Sequence, residues 1–155
     1  MRAKWLSPIA ATIAVVVLLG GCSVFNDVVP IPKVSDVAGT WTHTGPNGEH
    51  ASLVLESDGQ LRGQSIPRQV FAMSAGFHPV TIDWSQVHDL QGSWSIPGSR
   101  EAGNPTIYVN IEQTQTSPAA LTSVYVAKSE GKLYLYATLG DPDNNQEFTF
   151  YRGAK

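Results

Sequence analysis

From residue 39 onward, apolar and polar side chains alternate with a period of two in short runs, the spacing of strands that bury one face. Eight such runs, at 39–44, 51–56, 60–65, 91–96, 106–112, 121–128, 132–139 and 146–152, are separated by turn-forming residues. Gly45-Pro46-Asn47-Gly48 joins the first pair, Asp58-Gly59 the second and third, Glu130-Gly131 the sixth and seventh, and Asp141-Pro142-Asp143-Asn144 the last pair. These connections have hairpin length, and helix signals are almost absent. The expected fold is therefore all-β, an antiparallel meander of about eight strands that closes fully or partly into a barrel. One segment, 66–90, is too long for a turn. It holds Val70, Phe71, Phe77 and Trp84 but is interrupted by Gly76 and Pro79. Each large apolar side chain forgoes about 1.5–3 kcal/mol if left in water. The segment is thus expected to lay Phe71, Phe77 or Trp84 over one end or one face of the sheet, as a lid.

The N-terminus has a different pattern. Arg2 and Lys4 precede an uncharged stretch from Trp5 through Phe25, most apolar at 9–19. This is the layout of a secretory signal. A helix over residues 5–21 would span about 25 Å at 1.5 Å per residue, short of the roughly 30 Å hydrocarbon core, which makes a permanent transmembrane helix the weaker reading. The stretch ends in Leu19-Gly20-Gly21-Cys22-Ser23, which resembles the bacterial lipobox. The resemblance implies that Cys22 is diacylglycerated and becomes the mature N-terminus, an anchor rather than a nucleophile. Cys22 is the only cysteine, so no partner thiol exists for a disulfide. Residues 1–21 then form a signal peptide, 22–36 a lipidated tether containing Pro30 and Pro32, and 37–155 the folded domain.

Two further features carry family resemblances. Gly39-Thr40-Trp41 opens the first strand and Arg152 ends the last, where Phe148, Phe150 and Arg152 share one face. This resembles the closure of lipocalin and calycin barrels, which implies an arginine packed across the Trp41 indole. Gly92-Ser93-Trp94 repeats the Gly-x-Trp pattern in the fourth strand, where a lipocalin does not require it. The order of lipobox, proline-containing tether, Gly-Thr-Trp, Glu56-Ser57-Asp58-Gly59, Gly92-Ser93-Trp94 and Leu139-Gly140-Asp141-Pro142-Asp143 also resembles small actinobacterial envelope lipoproteins of unassigned activity. That resemblance implies a compartment and a β fold, with no reaction or ligand attached.

Composition narrows the chemistry. Two of the 10 basic and none of the 13 acidic side chains fall in residues 1–21, so the remainder carries a net charge of −5. That balance argues against nucleic-acid binding. No Gly-x-Ser-x-Gly, Cys and His pair or His-Glu-x-x-His occurs, so no enzymatic activity and no cofactor are expected. His43 and His50 flank the first hairpin and are placed to approach each other, but a third metal ligand is missing. Asp83 and Asp89 lie in the long segment without a spacing that pairs them. The run from Asp141 to Glu147 begins like a calcium loop and then has Gln146 and Arg152 where Gly and Glu are needed; a hairpin turn capped by Asp141 is the better reading, and no metal site is assigned.

All five tyrosines, Tyr108, Tyr125, Tyr134, Tyr136 and Tyr151, fall on the last four strands, opposite rows of aliphatic residues or Phe. With Phe77 and Trp84 they form the candidate ligand or partner surface, for a glycan, a lipid or an envelope protein. The expected function is a non-catalytic binding or interaction module, held through acyl chains on Cys22 at the extracytoplasmic face of a cell membrane. The alternatives are a lipocalin-like carrier of a small hydrophobic ligand and, with less to support it, a hydrolase of cell-wall glycans.

Overall fold

The computed structural model describes residues 29–72, 79–98, 100–101, 103–114 and 119–153, with the backbone alone at 100 and 101. Cys22 and Phe77 lie outside the described residues. The elements in chain order are helix α1 (Val34–Val37), strands β1 (Gly39–Thr44), β2 (His50–Leu55), β3 (Gln60–Pro67), β4 (Val87–Ser95), β5 (Arg100–Glu101), β6 (Asn104–Ile111), β7 (Ala120–Ser129) and β8 (Lys132–Thr138), a 3₁₀ turn (Pro142–Asn144) and β9 (Glu147–Arg152). All strand pairings are antiparallel, in the order β4-β3-β2-β1-β9-β8-β7-β6, and β4 pairs with β6 to close the ring. The result is an eight-stranded meander barrel. The short β5 pairs only with the start of β6.

Alternation explains why the ring forms. In β4 the exposure pattern reads strictly out and in, with His88, Leu90, Gly92 and Trp94 inward. Trp41, Leu53, Leu55, Leu61, Phe148 and Phe150 are at most 2% exposed and fill the interior. Burying side chains of this size contributes about 1.5–3 kcal/mol each. Ser65 takes a left-handed φ of 53°, and the β3–β4 register shifts between Gly63 and Ile66. Such a bulge bends the strand and helps the sheet curl.

At the end where β1 begins, two tryptophans seal the barrel. The Trp41 indole N–H donates to the Val37 carbonyl at 2.7 Å, and that of Trp94 to the Glu56 carbonyl at 2.9 Å. Trp41 pairs with Arg152 across β1 and β9, and the guanidinium carbon stands 4.7 Å from the indole centroid. Its Nη2 also donates to the carbonyls of Asp36 and Ala38, both at 2.9 Å. The expected barrel closure is present. Residues 29–36, read above as tether, run onto this end: Val29 is 5% exposed and belongs to the core, Pro32 is buried, and α1 makes one helical turn.

The β1–β9 ladder itself is short, with Trp41 opposite Arg152 and Thr42 opposite Tyr151. Side chains extend it. The Nδ1–H of His43 donates to the Thr149 carbonyl at 2.7 Å, which fixes the tautomer because a carbonyl can only accept. His43 and His50 do not meet: His43 pairs with Ala51 and Thr44 with His50, so the two imidazoles lie on opposite faces.

Candidate functional site

The described parts of the connection between β3 and β4, residues 68–72 and 79–86, cap the opposite end of the barrel. Val70 and Phe71 are buried, and Val80, Ile82 and Trp84 pack against the core. Trp84 stacks over His43 with centroids 5.7 Å apart, and His43 stacks on Phe148 at 3.9 Å. Gly45 makes this possible, because a Cβ there would lie 2.9 Å from the Trp84 ring and 2.6 Å from Glu49 Oε2. Gln146 holds the segment at its backbone: its Oε1 accepts from the Val80 N–H at 2.6 Å and its Nε2 donates to the Val80 carbonyl at 3.3 Å. Phe71 and Trp84 thus take the covering role expected of this segment.

Carboxylates in the same region are engaged in local structure. Asp83 accepts from Ser85 N, Ser85 Oγ and Gln86 Nε2, and those bonds hold its carboxyl below the usual range. Asp89 accepts from the Ser65 N–H at 2.9 Å, which satisfies the bulge. Asp141 caps the Pro142–Asn144 turn by accepting from Asp143 N, as its sequence suggested. Among the described residues no group of three or more His, Cys, Asp or Glu side chains could hold a metal ion.

The tyrosines occupy the outer wall. Cross-strand pairing sets Tyr125 opposite Tyr136 and Tyr134 opposite Tyr151, and all four lie opposite in parity to the buried Val124, Leu135 and Phe150. Their rings form a chain: Tyr125 to Tyr136 at 5.1 Å and 23° between planes, Tyr136 to Tyr134 at 6.1 Å, and Tyr134 to Tyr151 at 6.1 Å. Tyr151 is 58% exposed, whereas Tyr136 is 8% exposed and accepts from Asn104 Nδ2 at 2.9 Å. Tyr108 stands on the same wall, exposed, opposite Ser123 and Ser95. Trp84 is not part of this surface, since it lies in the cap with His43. The sequence-derived group therefore divides into an outer tyrosine row and an end cap. Sequence reasoning missed Asn104, Gln146 and His43 as the polar partners of these aromatics; inward parity on β1 was the available signal for His43.

Two of the phenols, those of Tyr134 and Tyr136, titrate late. Burial, with the nearby Glu147 and Tyr151, raises the Tyr134 pKa above its ordinary 10.0. Burial also raises that of Tyr136, against the opposing bond from Asn104. A raised phenol pKa means that the folded chain holds its proton more tightly than the unfolded chain. Stability contributed this way is present below about pH 10 and is lost as pH rises from the unfolded value through the folded one. Absorbance titration of the folded protein is expected to show part of its phenols ionising after the rest, with Tyr134→Phe and Tyr136→Phe each removing part of the late phase. Simultaneous ionisation of all five at the ordinary value would contradict the packed row.

Two grooves lie elsewhere on the described surface. One of about 560 Å³ lies along β2, β3 and β4, lined by Ser52, Val54, Arg62, Gln64, Asp89 and Gln91 among others, with Arg62 ion-paired to Glu56 beside it. Another, of about 540 Å³, lies at the Trp41 end between Asp36, Lys132, Leu133, Tyr151 and Arg152. Among the described residues no helix is long and apolar enough to cross a membrane. Comparisons with protein-family models, curated proteins and solved structures find no match for this chain.

Proposed function

We propose that this chain is a lipid-anchored lipoprotein of the cell envelope, a non-catalytic interaction module on the extracytoplasmic face of the membrane, and that it engages an envelope protein through the tyrosine row on the outside of its barrel. The observation that carries this reading is the row itself, four phenols in mutual contact on a wall whose opposite face is the packed core. Tyrosine presents apolar area and a hydroxyl at little conformational cost, which is why it recurs at protein interfaces. Ring orientation favours a protein over a glycan. Sugar rings stack on free aromatic faces, whereas a 5.1 Å separation at 23° turns the faces of Tyr125 and Tyr136 toward each other. Tyr136 is itself only 8% exposed, so this pair has little free face to offer a sugar.

The carrier reading has less support. A ligand pocket needs several hundred Å³ of enclosed space, and the inward positions are taken by Trp41, Phe148, Phe150 and large aliphatic side chains. What supports a lipocalin-like relationship is the contact of Arg152 with the Trp41 indole at the Gly39-Thr40-Trp41 opening.

Site-specific photo-crosslinking in cells tests the interaction surface. A photoreactive phenylalanine analogue at Tyr151 or Tyr108 of the full chain is expected to give one discrete protein adduct, reduced at least severalfold by Tyr134→Ala. The same probe at Asn47, in the first hairpin, should give none. Equal adducts at all three positions, or no adduct at either tyrosine, would remove the basis for the proposal.

A further inference from the structure

The turn between β1 and β2 carries a reactive dipeptide. Asparagine is among the chemically labile residues, and of the six in this chain Asn47 alone is followed by glycine. Asn104 precedes Pro105, which has no N–H, and Asn110 is held in the ladders of β6 before the branched Ile111. Gly48 offers its backbone nitrogen with no side chain in the way: its φ is +89°, and a Cβ there would meet nothing within 4 Å. Both Asn47 and Gly48 are exposed. The Gly48 N–H donates to the Gly45 carbonyl at 3.1 Å, a longer bond than the 2.8 Å one from the Gly45 N–H to the Glu49 carbonyl that closes the turn. Glu49 clasps the asparagine: its Oε1 accepts from Asn47 Nδ2 at 3.1 Å and its Oε2 from the Asn47 N–H at 2.9 Å. The Asn47 side-chain amide, followed by the backbone N–H groups of Glu49 and Asn47, holds the Glu49 carboxyl below its ordinary range.

We infer that Asn47 is a site of spontaneous covalent modification, converted with time to a mixture of aspartate and isoaspartate, and that Glu49 is the brake on this reaction. The inference is independent of the proposed anchor and of the tyrosine row. The Gly48 nitrogen attacks Asn47 Cγ. A new N–Cγ bond forms, the Cγ–Nδ2 bond breaks, and ammonia leaves with the proton that Gly48 gives up. The cyclic imide then takes up water, with no oxidant or reductant involved. Cleavage of the N–Cγ bond restores the ordinary main chain and leaves aspartate; cleavage of the original peptide bond leaves isoaspartate, whose main chain runs through Cβ and Cγ and is longer by a methylene. Glu49 slows the first step in two ways. Its bond to Nδ2 restrains the amide group that must come onto the Gly48 nitrogen, and its charge opposes the negative charge that this nitrogen acquires as its proton is lost. Once formed, the product undoes the clasp, because a carboxylate replaces the Nδ2 donor that faced Glu49. Isoaspartate also lengthens a turn whose span sets the β1–β2 register. The Trp84 cap lies close by, since the position of a Cβ on Gly45 is 2.6 Å from Glu49 Oε2 and 2.9 Å from the Trp84 ring.

The test ages the full chain in mildly alkaline buffer, with a parallel sample in urea, and follows each asparagine by peptide mass spectrometry; isoaspartate is counted separately by enzymatic carboxyl methylation. Conversion in the folded chain is expected at Asn47, severalfold ahead of Asn110 and Asn144, and slower than in urea. Glu49→Ala should speed conversion of Asn47 severalfold in the fold and by less in urea. Asn47→Asp supplies the aspartate product in homogeneous form. In that variant, titration of the Glu49 carboxyl by nuclear magnetic resonance should give a pKa above that of the parent, since a like charge disfavours ionisation, and the backbone amide at position 47 should exchange faster. Rates in the parent need no substitution, so the site is tested however the variants fold. A folded chain that leaves Asn47 intact, or converts it no faster than Asn110 and Asn144, overturns the site. Equal rates for the parent and Glu49→Ala in the fold overturn the brake, and an unchanged Glu49 titration in Asn47→Asp overturns the loss of the clasp.

Discussion

Replacing Trp41 with alanine is expected to lower the free energy of unfolding by about 3–5 kcal/mol, the usual cost of deleting a buried aromatic side chain. Domains are commonly stable by only about 5–15 kcal/mol, so this one change removes a large share. The size follows from what the ring does. It is 0% exposed, its N–H satisfies the Val37 carbonyl, and its face carries Arg152. Its loss would undo the attachment of α1 and the β1–β9 seam together, because that ladder is short and Arg152 also holds the Asp36 and Ala38 carbonyls. Urea unfolding followed by circular dichroism measures the effect. A double-mutant cycle with Trp41→Leu and Arg152→Ala should return about 0.5–2 kcal/mol of coupling, the range of a cation over an aromatic face. A coupling of zero would mean that the two side chains are neighbours without interacting.

Much of this closure was legible in the sequence, for a physical reason. Period-two alternation arises whenever one sheet face is buried, so the runs near 39–44, 51–56 and 132–139 located strands to within a residue or so. Arg152 could be placed because parity carries it on from Phe148 and Phe150. The start of β4 was hidden: Val87, His88, Asp89 and Leu90 alternate correctly, but the inward residue His88 is polar and reads as surface. Helix α1 was missed because one turn is too short to show a period. Loop length, more than residue type, decided the histidines, since the connection between His43 and His50 sets the pairing and hence the faces.

The tyrosine row shows what alternation can and cannot supply. Parity put the five tyrosines opposite the aliphatic rows, and the barrel keeps them there. Parity could not say that Trp84 belongs elsewhere, because its location depends on the Gln146 clamp at Val80, a contact between residues 66 apart in sequence. Nor could it orient the rings. The ring planes follow from cross-strand register, and register is set by turns and by the closure of the whole barrel.

Gly92→Ala is expected to destabilise the domain by about 3 kcal/mol or more, the upper range for overpacking, through the seam that closes the barrel. In the sequence this glycine looks like a second Gly-x-Trp opening. In the fold it lies inward on β4 opposite Ile111, and a Cβ would sit 1.9 Å from the Asn110 carbonyl oxygen and 2.9 Å from its carbon. Both are backbone atoms, so no rotamer change relieves the contact and the strands must part. The ladder at risk is Gly92 to Ile111, Ser93 to Asn110, Trp94 to Val109 and Ser95 to Tyr108. Removing glycine's freedom in the unfolded chain offsets about 0.4–1 kcal/mol, too little to reverse the sign. Trp94 should feel the change next, because its indole N–H bond to Glu56 depends on β4 keeping its place. Hydrogen exchange distinguishes this from a general loss of stability: amides of β4 and β6 should lose protection before those of β8 and β9. Gly131→Ala is the control, since its φ of +79° strains an alanine while its Cβ would meet nothing within 4 Å. If Gly92→Ala unfolds at the same urea concentration as the parent and keeps its β4 and β6 protection, the β4–β6 seam is not closed as described.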